Sequence, residues 1–269
     1  VYLTLLVGSF AAQRFGIGFP QWDEQMVDGT VEVPRMNASG PIDGAPVTIG
    51  YREYSNTDAE QTIIMLHGSP NPYPTFGEIG PMLGEHFRVL APDLPGFGRS
   101  TIFVPNYGIV AYSHYVAAFM DALDIDSAHL FGFSLGSGVA MHLIDRQPER
   151  AESLILFGGI GLQEGEGTGD HSFEHLKYKV GYAFYVVGVE LLPHFGYLGT
   201  TGFRHAFLRN FIDTDQRPLR AVIERINGRT PKLPMLILHG VNDPLVPAWA
   251  AREHHRMVEH SELVMFDDS

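Results

Sequence analysis

The pentapeptide GFSLG, residues 132–136, places a serine between two glycines in the pattern G-x-S-x-G. An apolar run precedes it and a helix-forming run follows it, as in a sharp strand–turn–helix elbow that exposes a nucleophilic hydroxyl. The residues two before and two after the serine of such a turn must lack bulk, and Gly132 and Gly136 meet that requirement. The alternative is an incidental serine in a glycine-rich turn. We favour the elbow, which makes Ser134 the predicted nucleophile.

A serine nucleophile needs helper groups. The hydroxyl is weakly nucleophilic at neutral pH, so it requires a base, an orienting acid and donors that hold the oxyanion. The peptide N–H of Leu135, just after the serine, is one predicted donor. The segment HGSPNP follows an earlier strand, and the N–H of Ser69 within it is the second predicted donor. We expect His67 to order this loop by hydrogen bonding rather than to act as the base.

Short apolar runs alternate with helical patterns along most of the chain. Strands that alternate with helices form βαβ units and a mostly parallel sheet, so the sequence predicts an α/β fold. Strands are predicted at 47–55, 62–68, 87–93, 128–134, 151–159, 233–240 and 262–266, and helices at 109–123, 135–147 and 248–260.

One long section, residues 161–232, breaks this alternation. It begins with the glycine-rich GLQEGEGTGDH and continues with helical patterns that are rich in aromatic residues. An excursion of this length between two strands is not a connecting loop. We therefore predict an inserted helical cap, whose aromatic side chains pack against the core and in part line an apolar pocket above Ser134.

Four motifs, HGSP, DLPGFGRS, GFSLGSG and LILHGVNDPLVP, occur in the order and spacing of the α/β-hydrolase superfamily, which the chain resembles over residues 47–269. The resemblance implies a mostly parallel sheet of eight strands flanked by helices, with a helical cap after the sixth strand. The core would span 47–160 and 233–269, and the cap 161–232. Within the superfamily the chain looks like the esterase branch. A serine at the nucleophile position counts against haloalkane dehalogenases and epoxide hydrolases.

The resemblance also implies the other two members of a catalytic triad. In the family the acid follows the seventh strand in a G-x-x-D-x-x-V/I-P turn, and Asp243 fills that place. Its implied role is to orient the base and to stabilise the imidazolium. The family histidine comes just after the eighth strand, but none of the thirteen histidines lies beyond His260. His254 and His255 precede that strand. We therefore expect the general base just beyond Ser269, in a longer parent chain.

Composition and motifs exclude several classes. The net charge of −13 argues against a non-specific nucleic-acid binder, which needs a basic surface. The absence of cysteine excludes thiolate metal sites and cysteine nucleophiles. No phosphate-binding loop or dinucleotide fingerprint occurs, and the pair His171 and His175 has no third ligand in the sequence pattern. We predict neither a cofactor nor a metal.

The first 46 residues are predicted to be an apolar segment and a linker. The chain opens with VYLTLLVGSFAA, which is too short to span a bilayer alone and is followed by Arg14. Three interpretations compete, namely the tail of a membrane anchor, the tail of a signal peptide, and a segment packed on the domain. We favour the anchor, and with it a bacterial protein that is membrane-associated or exported rather than free in the cytoplasm.

The sequence thus predicts a serine hydrolase that cleaves carboxylic esters with an apolar acyl or alcohol group through an acyl-enzyme. The predicted partner is a small hydrophobic ester. Enzymes with the same triad remain open as alternatives, namely a C–C bond hydrolase, a proline-type aminopeptidase and a perhydrolase. A non-catalytic binding protein on the same fold is the alternative from another class.

Overall fold

The computed structural model describes residues 28–55, 59–69, 76–162, 164, 167–187 and 201–267, without the side chains of 201–204. The predicted apolar segment at the N-terminus lies outside these ranges, so membrane attachment stays a prediction. Within these ranges no helix combines the length and the apolar character that crossing a bilayer requires.

The described residues form ten strands and seven α-helices. The strands are β1 Gly29–Val33, β2 Met36–Asn37, β3 Gly40–Pro41, β4 Val47–Ser55, β5 Thr62–Leu66, β6 Arg88–Pro92, β7 Ala128–Phe133, β8 Ala151–Phe157, β9 Met235–Gly240 and β10 Glu262–Phe266. The helices are α1 Ile79–Gly84, α2 Ile109–Ala122, α3 Leu135–Arg146, α4 His171–Tyr185, α5 Thr201–Asp213, α6 Leu219–Asn227 and α7 Ala248–Met257.

Eight of the strands form one sheet in the order β1-β4-β6-β5-β7-β8-β9-β10. Strand β4 runs antiparallel to both of its neighbours, and every other neighbouring pair for which the register is described is parallel. The predicted eight-stranded, mostly parallel α/β-hydrolase fold is therefore confirmed.

The sheet is buried on both faces because successive side chains of a strand point to opposite sides. In β5, Ile64 and Leu66 belong to the larger hydrophobic cluster, together with residues of α2, α3 and α6. Ile63 and Met65 point the other way, into a smaller cluster that includes Phe76 and Phe131. This double burial explains why the central strands read as continuous apolar runs in the sequence.

The predicted linker contains an edge strand that the sequence pattern did not reveal. Strand β1 pairs antiparallel with β4, with Val31 opposite Ile49, and β2 and β3 form a small separate ladder. The prediction of a linker up to residue 46 is therefore wrong for 29–33. Only Val31 and Val33 alternate toward the core in this short strand, which is too few for a clear period.

Helices α4, α5 and α6 follow β8, within the range 161–232 that was predicted as a cap. Helices α4 and α5 pack against each other, and Tyr178 stacks on Phe211 with ring centroids 4.1 Å apart. Helix α6 instead packs on α3 and contributes Val222 and Ile226 to the main core. The division into core and cap remains a prediction, and this packing favours an end of the cap before α6.

Candidate active site

Ser134 occupies a strained turn between β7 and α3. Its backbone has φ +49° and ψ −115°, a conformation that non-glycine residues rarely adopt. The turn is held by hydrogen bonds from the Ser134 N–H to the Phe157 carbonyl (3.0 Å) and from the Ser137 N–H to the Ser134 carbonyl (3.0 Å). Such strain persists only where the surrounding structure enforces it, and it is concentrated at functional sites.

The two glycines of the pentapeptide make this turn possible. A Cβ atom on Gly132 would lie 2.5 Å from the backbone of Ser137, and one on Gly136 would lie 2.1 Å from the carbonyl oxygen of Leu66. Both obstacles are backbone atoms that cannot rotate away. The requirement for small residues, inferred from the sequence, thus has a direct steric cause.

The loop after β5 lies against the serine. A Cβ atom on Gly68 would come within 3.0 Å of the Ser134 Cβ, so glycine allows the loop to approach this closely. Ser69 lines the same cavity as Ser134 and Leu135. The structure thus brings the predicted oxyanion donors to the predicted nucleophile, while their catalytic role remains a prediction.

His67 orders this loop, as the sequence predicted. The ring is fully buried, its Nδ1 lies 2.8 Å from the Gly68 carbonyl oxygen, and its Nε2 accepts a hydrogen bond of 2.9 Å from the Leu94 N–H. Because Nε2 is the acceptor, Nδ1 carries the proton and donates it to Gly68. Burial lowers the pKa of His67 to about 4, so the ring is neutral at physiological pH. With both nitrogens engaged, His67 is poorly suited to serve as a base.

Asp243 follows β9, at the same edge of the sheet. Its Oδ1 accepts hydrogen bonds from the backbone N–H groups of Leu245 (2.8 Å) and Val246 (3.0 Å). A Cβ atom on Gly158, at the end of β8, would lie 3.4 Å from its Oδ2. One carboxylate oxygen therefore holds the turn, and the other faces the end of β8.

The end of β10 lies beside the Asp243 turn. The Val241 N–H donates to the Phe266 carbonyl (2.8 Å), and the Asn242 Nδ2 donates to the Asp267 carbonyl (3.3 Å). A residue that follows Asp267 would thus start close to the predicted acid. The predicted histidine lies outside the described residues, and among those that line the cavity there is no histidine.

A cavity of about 230 Å³ lies between the sheet and the cap helices. Ser69, Ser134 and Leu135 line it on the sheet side, and Leu245 lines it beside the Asp243 turn. The cap side carries apolar and polar groups, which are Tyr178, Phe211, Glu174, Lys177, Asn210, Thr214 and Gln216. The prediction of aromatic lining holds for Tyr178, whereas the sequence analysis missed the polar residues because nothing in their types or spacing distinguishes them.

Glu174 is a buried anion whose charge is balanced within the cap. Its Oε1 accepts hydrogen bonds of 3.1 Å from both the N–H and the hydroxyl of Thr168, and Lys177 pairs with its Oε2. The hydrogen bond from Lys177 is the main reason that the pKa of Glu174 lies below its ordinary value. This part of the cavity wall is therefore polar but close to neutral.

We found no metal centre in the described part of the chain, where no three His, Asp or Glu side chains form a group that could hold an ion. The rings of His171 and His175 lie 5.4 Å apart, and His171 Nδ1 is 4.0 Å from Asp215. None of these groups contacts the serine elbow in the described structure.

Comparison with known proteins gives matches throughout this architecture. Residues 61–187 match the family model described as alpha/beta hydrolase fold. A 2-hydroxy-6-oxo-2,4-heptadienoate hydrolase from Pseudomonas putida is 27% identical over 90% of this chain and 90% of its own length. A 2-hydroxy-6-oxo-6-phenylhexa-2,4-dienoate hydrolase from Burkholderia cepacia is 39% identical, over 43% of this chain and 45% of its own.

Solved structures agree with these matches. A mutant of the meta-cleavage product hydrolase CumD is 26% identical, with a TM-score of 0.62 over 87% of this chain and 89% of its own. An esterase from Thermogutta terrifontis has a TM-score of 0.67 over 89% of this chain and 90% of its own, but at 16% identity it shows the fold alone. With the family model, the sheet order and the strained serine elbow, these matches establish that the chain is a hydrolase of the α/β-hydrolase superfamily.

Proposed function

We propose that this hydrolase cleaves a carbon–carbon bond next to a ketone carbonyl in a 2-hydroxy-6-oxo-dienoate, with Ser134 as the nucleophile. The observation that carries the proposal is the strained Ser134 elbow, which opens on a cavity roofed by the cap. The choice of substrate rests on the relative from Pseudomonas putida, which is named for this activity and aligns over 90% of both chains. Ester cleavage, which the sequence predicted, becomes the second candidate.

The predicted groups would divide the work as follows. Ser134 Oγ attacks the C6 carbonyl carbon while its proton passes to the predicted histidine beyond Ser269, which Asp243 orients. The N–H groups of Ser69 and Leu135 hold the oxyanion. The C5–C6 bond then breaks, and its electron pair moves into the conjugated 2-oxo tautomer of the dienoate. Water attacks the acyl-serine and releases the carboxylic acid.

The electron demand of this reaction separates it from ester hydrolysis. A carbon leaving group must be stabilised by conjugation, whereas an alkoxide leaves once it is protonated. A cavity that selects the first substrate needs polar groups at the end remote from the serine. Glu174, Lys177 and Gln216 supply polar groups in the cap part of the cavity wall.

The test compares two substrates in a chain that carries the predicted histidine. Turnover of 2-hydroxy-6-oxo-2,4-heptadienoate is followed by loss of its dienone absorbance, and turnover of p-nitrophenyl butyrate by release of p-nitrophenolate. We expect kcat/KM for the dienoate to exceed that for the ester, and Ser134→Ala to abolish both activities. Faster ester turnover would instead favour the second candidate, for which the apolar lining by Leu135, Phe211 and Leu245 speaks.

A further inference from the structure

A small side pocket of about 30 Å³ adjoins the main cavity at its cap end. The two spaces share the side chains of Glu174, Tyr178, Phe211, Thr214 and Gln216, and the pocket adds His171 and His175. A space of this size accommodates about one water-sized group. Its polar lining therefore decides what kind of group fits there.

Gln216 presents an unsatisfied polar atom to this pocket. The residue is only 7% exposed, and its Oε1 is buried without a hydrogen-bond partner among the described residues. A buried amide oxygen without a partner costs about 1–3 kcal/mol. Such a group is retained where a ligand completes its hydrogen bonding.

His175 presents a second one. Its Nδ1 is also buried without a hydrogen-bond partner in the part of the chain that the structure describes. Burial is the main cause of the lowered pKa of His175, so the ring is neutral and offers one N–H and one lone pair. A group that both donates and accepts would satisfy Gln216 and His175 together.

The neighbouring polar side chains already have partners. Both carboxylate oxygens of Glu174 are engaged by Thr168 and Lys177. The hydroxyl of Thr214 accepts a hydrogen bond of 3.4 Å from Asn210 Nδ2. The unmet hydrogen-bonding capacity in this pocket thus belongs to Gln216 and His175.

We propose that Gln216 and His175 bind a hydroxyl group of the substrate, at the end remote from the carbonyl that Ser134 attacks. A hydroxyl has the size of the pocket and both donates and accepts, so it can pair with the amide of Gln216 in either orientation. The inference rests on the proposed function, in which the C2 hydroxyl lies at the far end of the dienoate from C6. It makes Gln216 a specificity-determining residue.

The first experiment measures discrimination. We compare kcat/KM for 2-hydroxy-6-oxo-2,4-heptadienoate with that for its analogue without the 2-hydroxyl, in wild type and in Gln216→Met. A neutral hydrogen bond of about 1 kcal/mol predicts at least about fivefold preference in wild type, because a buried unpaired amide penalises the analogue further. Gln216→Met should bring the preference close to one. The exposed Gln61 provides the matched control, and Gln61→Met should keep the wild-type preference.

The second experiment measures binding without turnover. Both compounds are titrated into Ser134→Ala, alone and combined with Gln216→Met or with His175→Phe, and binding is followed by dienone absorbance. We expect tighter binding of the hydroxylated compound, and loss of that difference in both combined variants. Equal affinity in Ser134→Ala, or a difference that survives both substitutions, would overturn the inference. Absence of turnover in wild type would instead count against the proposed function, since the binding comparison needs no catalysis.

Discussion

At the sheet end of the cavity backbone geometry places the candidate reactive groups, whereas at the cap end side-chain contacts place the polar ones. Ser134 is held by its own turn and by the close packing around Gly132 and Gly136. Glu174 and Gln216 project from the cap, where ion pairs and stacking define the wall. Backbone contacts tolerate almost no change, while side-chain contacts can be exchanged one at a time.

This difference separates what each end can control. Variants at the sheet end should change kcat or the free energy of unfolding strongly. Variants at the cap end should change substrate preference or stability by smaller amounts. The predictions below test that division, beginning with the largest expected effect.

Ser134→Ala should lower kcat by about 10⁴-fold or more, because the proposed attacking oxygen is removed. The measurement is kcat toward the dienoate in a chain that carries the predicted histidine. Ser39→Ala, at an exposed serine of the β2–β3 turn, is the matched control and should leave kcat unchanged. Residual activity within tenfold of wild type would remove Ser134 from the mechanism.

Asp243→Asn should lower kcat by about 10³- to 10⁴-fold, because the neutral amide no longer stabilises the imidazolium or fixes its tautomer. The substitution keeps an oxygen that can accept from the N–H groups of Leu245 and Val246, so the turn should persist. Steady-state kinetics gives kcat, and the exposed Asp126 provides the control Asp126→Asn. An unchanged kcat would assign the orienting role to another carboxylate.

The sheet end was predictable from the sequence because its geometry demands particular residue types. A sharp turn with a serine at positive φ needs glycine where backbones touch, and that need is visible as Gly132 and Gly136. The loop after β5 was predictable for the same reason, since Gly68 permits its approach. Parallel strands buried on both faces also leave a clear pattern of apolar runs.

The cap end was not predictable at the same level. Glu174 and Gln216 are common residue types, and only the packing of α4 against α5 brings them to the cavity. No local spacing connects these two residues. The edge strand β1 escaped for a related reason, because its role depends on pairing with β4 and not on its own short pattern.

Gly136→Ala should destabilise the protein by about 3 kcal/mol, because the new methyl group would meet the Leu66 carbonyl at 2.1 Å. Gly138→Ala is a matched control in the same helix. There the nearest atom is the Ile160 Cδ1 at 3.1 Å, the end of a flexible side chain. Its effect should stay within about 1 kcal/mol, since alanine also gains helix propensity. Denaturant unfolding measures both, and equal losses would contradict the steric argument.

Glu174→Gln should have the smallest effect, about 1 kcal/mol at neutral pH, because Lys177 is half exposed and water screens the pair. The pH dependence identifies the cause. The folded-state pKa of Glu174 lies below its ordinary value of 4.5, so the carboxylate stabilises the fold above that pH. The stabilisation is lost as the pH falls through the folded-state pKa.

The difference in unfolding free energy between wild type and Glu174→Gln should therefore shrink between pH 6 and about pH 3. Urea denaturation at a series of pH values measures it, with the exposed Glu259→Gln as a control that shows little difference throughout. If the difference does not depend on pH, the hydrogen bonds from Thr168, which a glutamine oxygen can also accept, hold this wall of the cavity. In that case the shape of the cap end, and not its charge, would account for the contribution of Glu174.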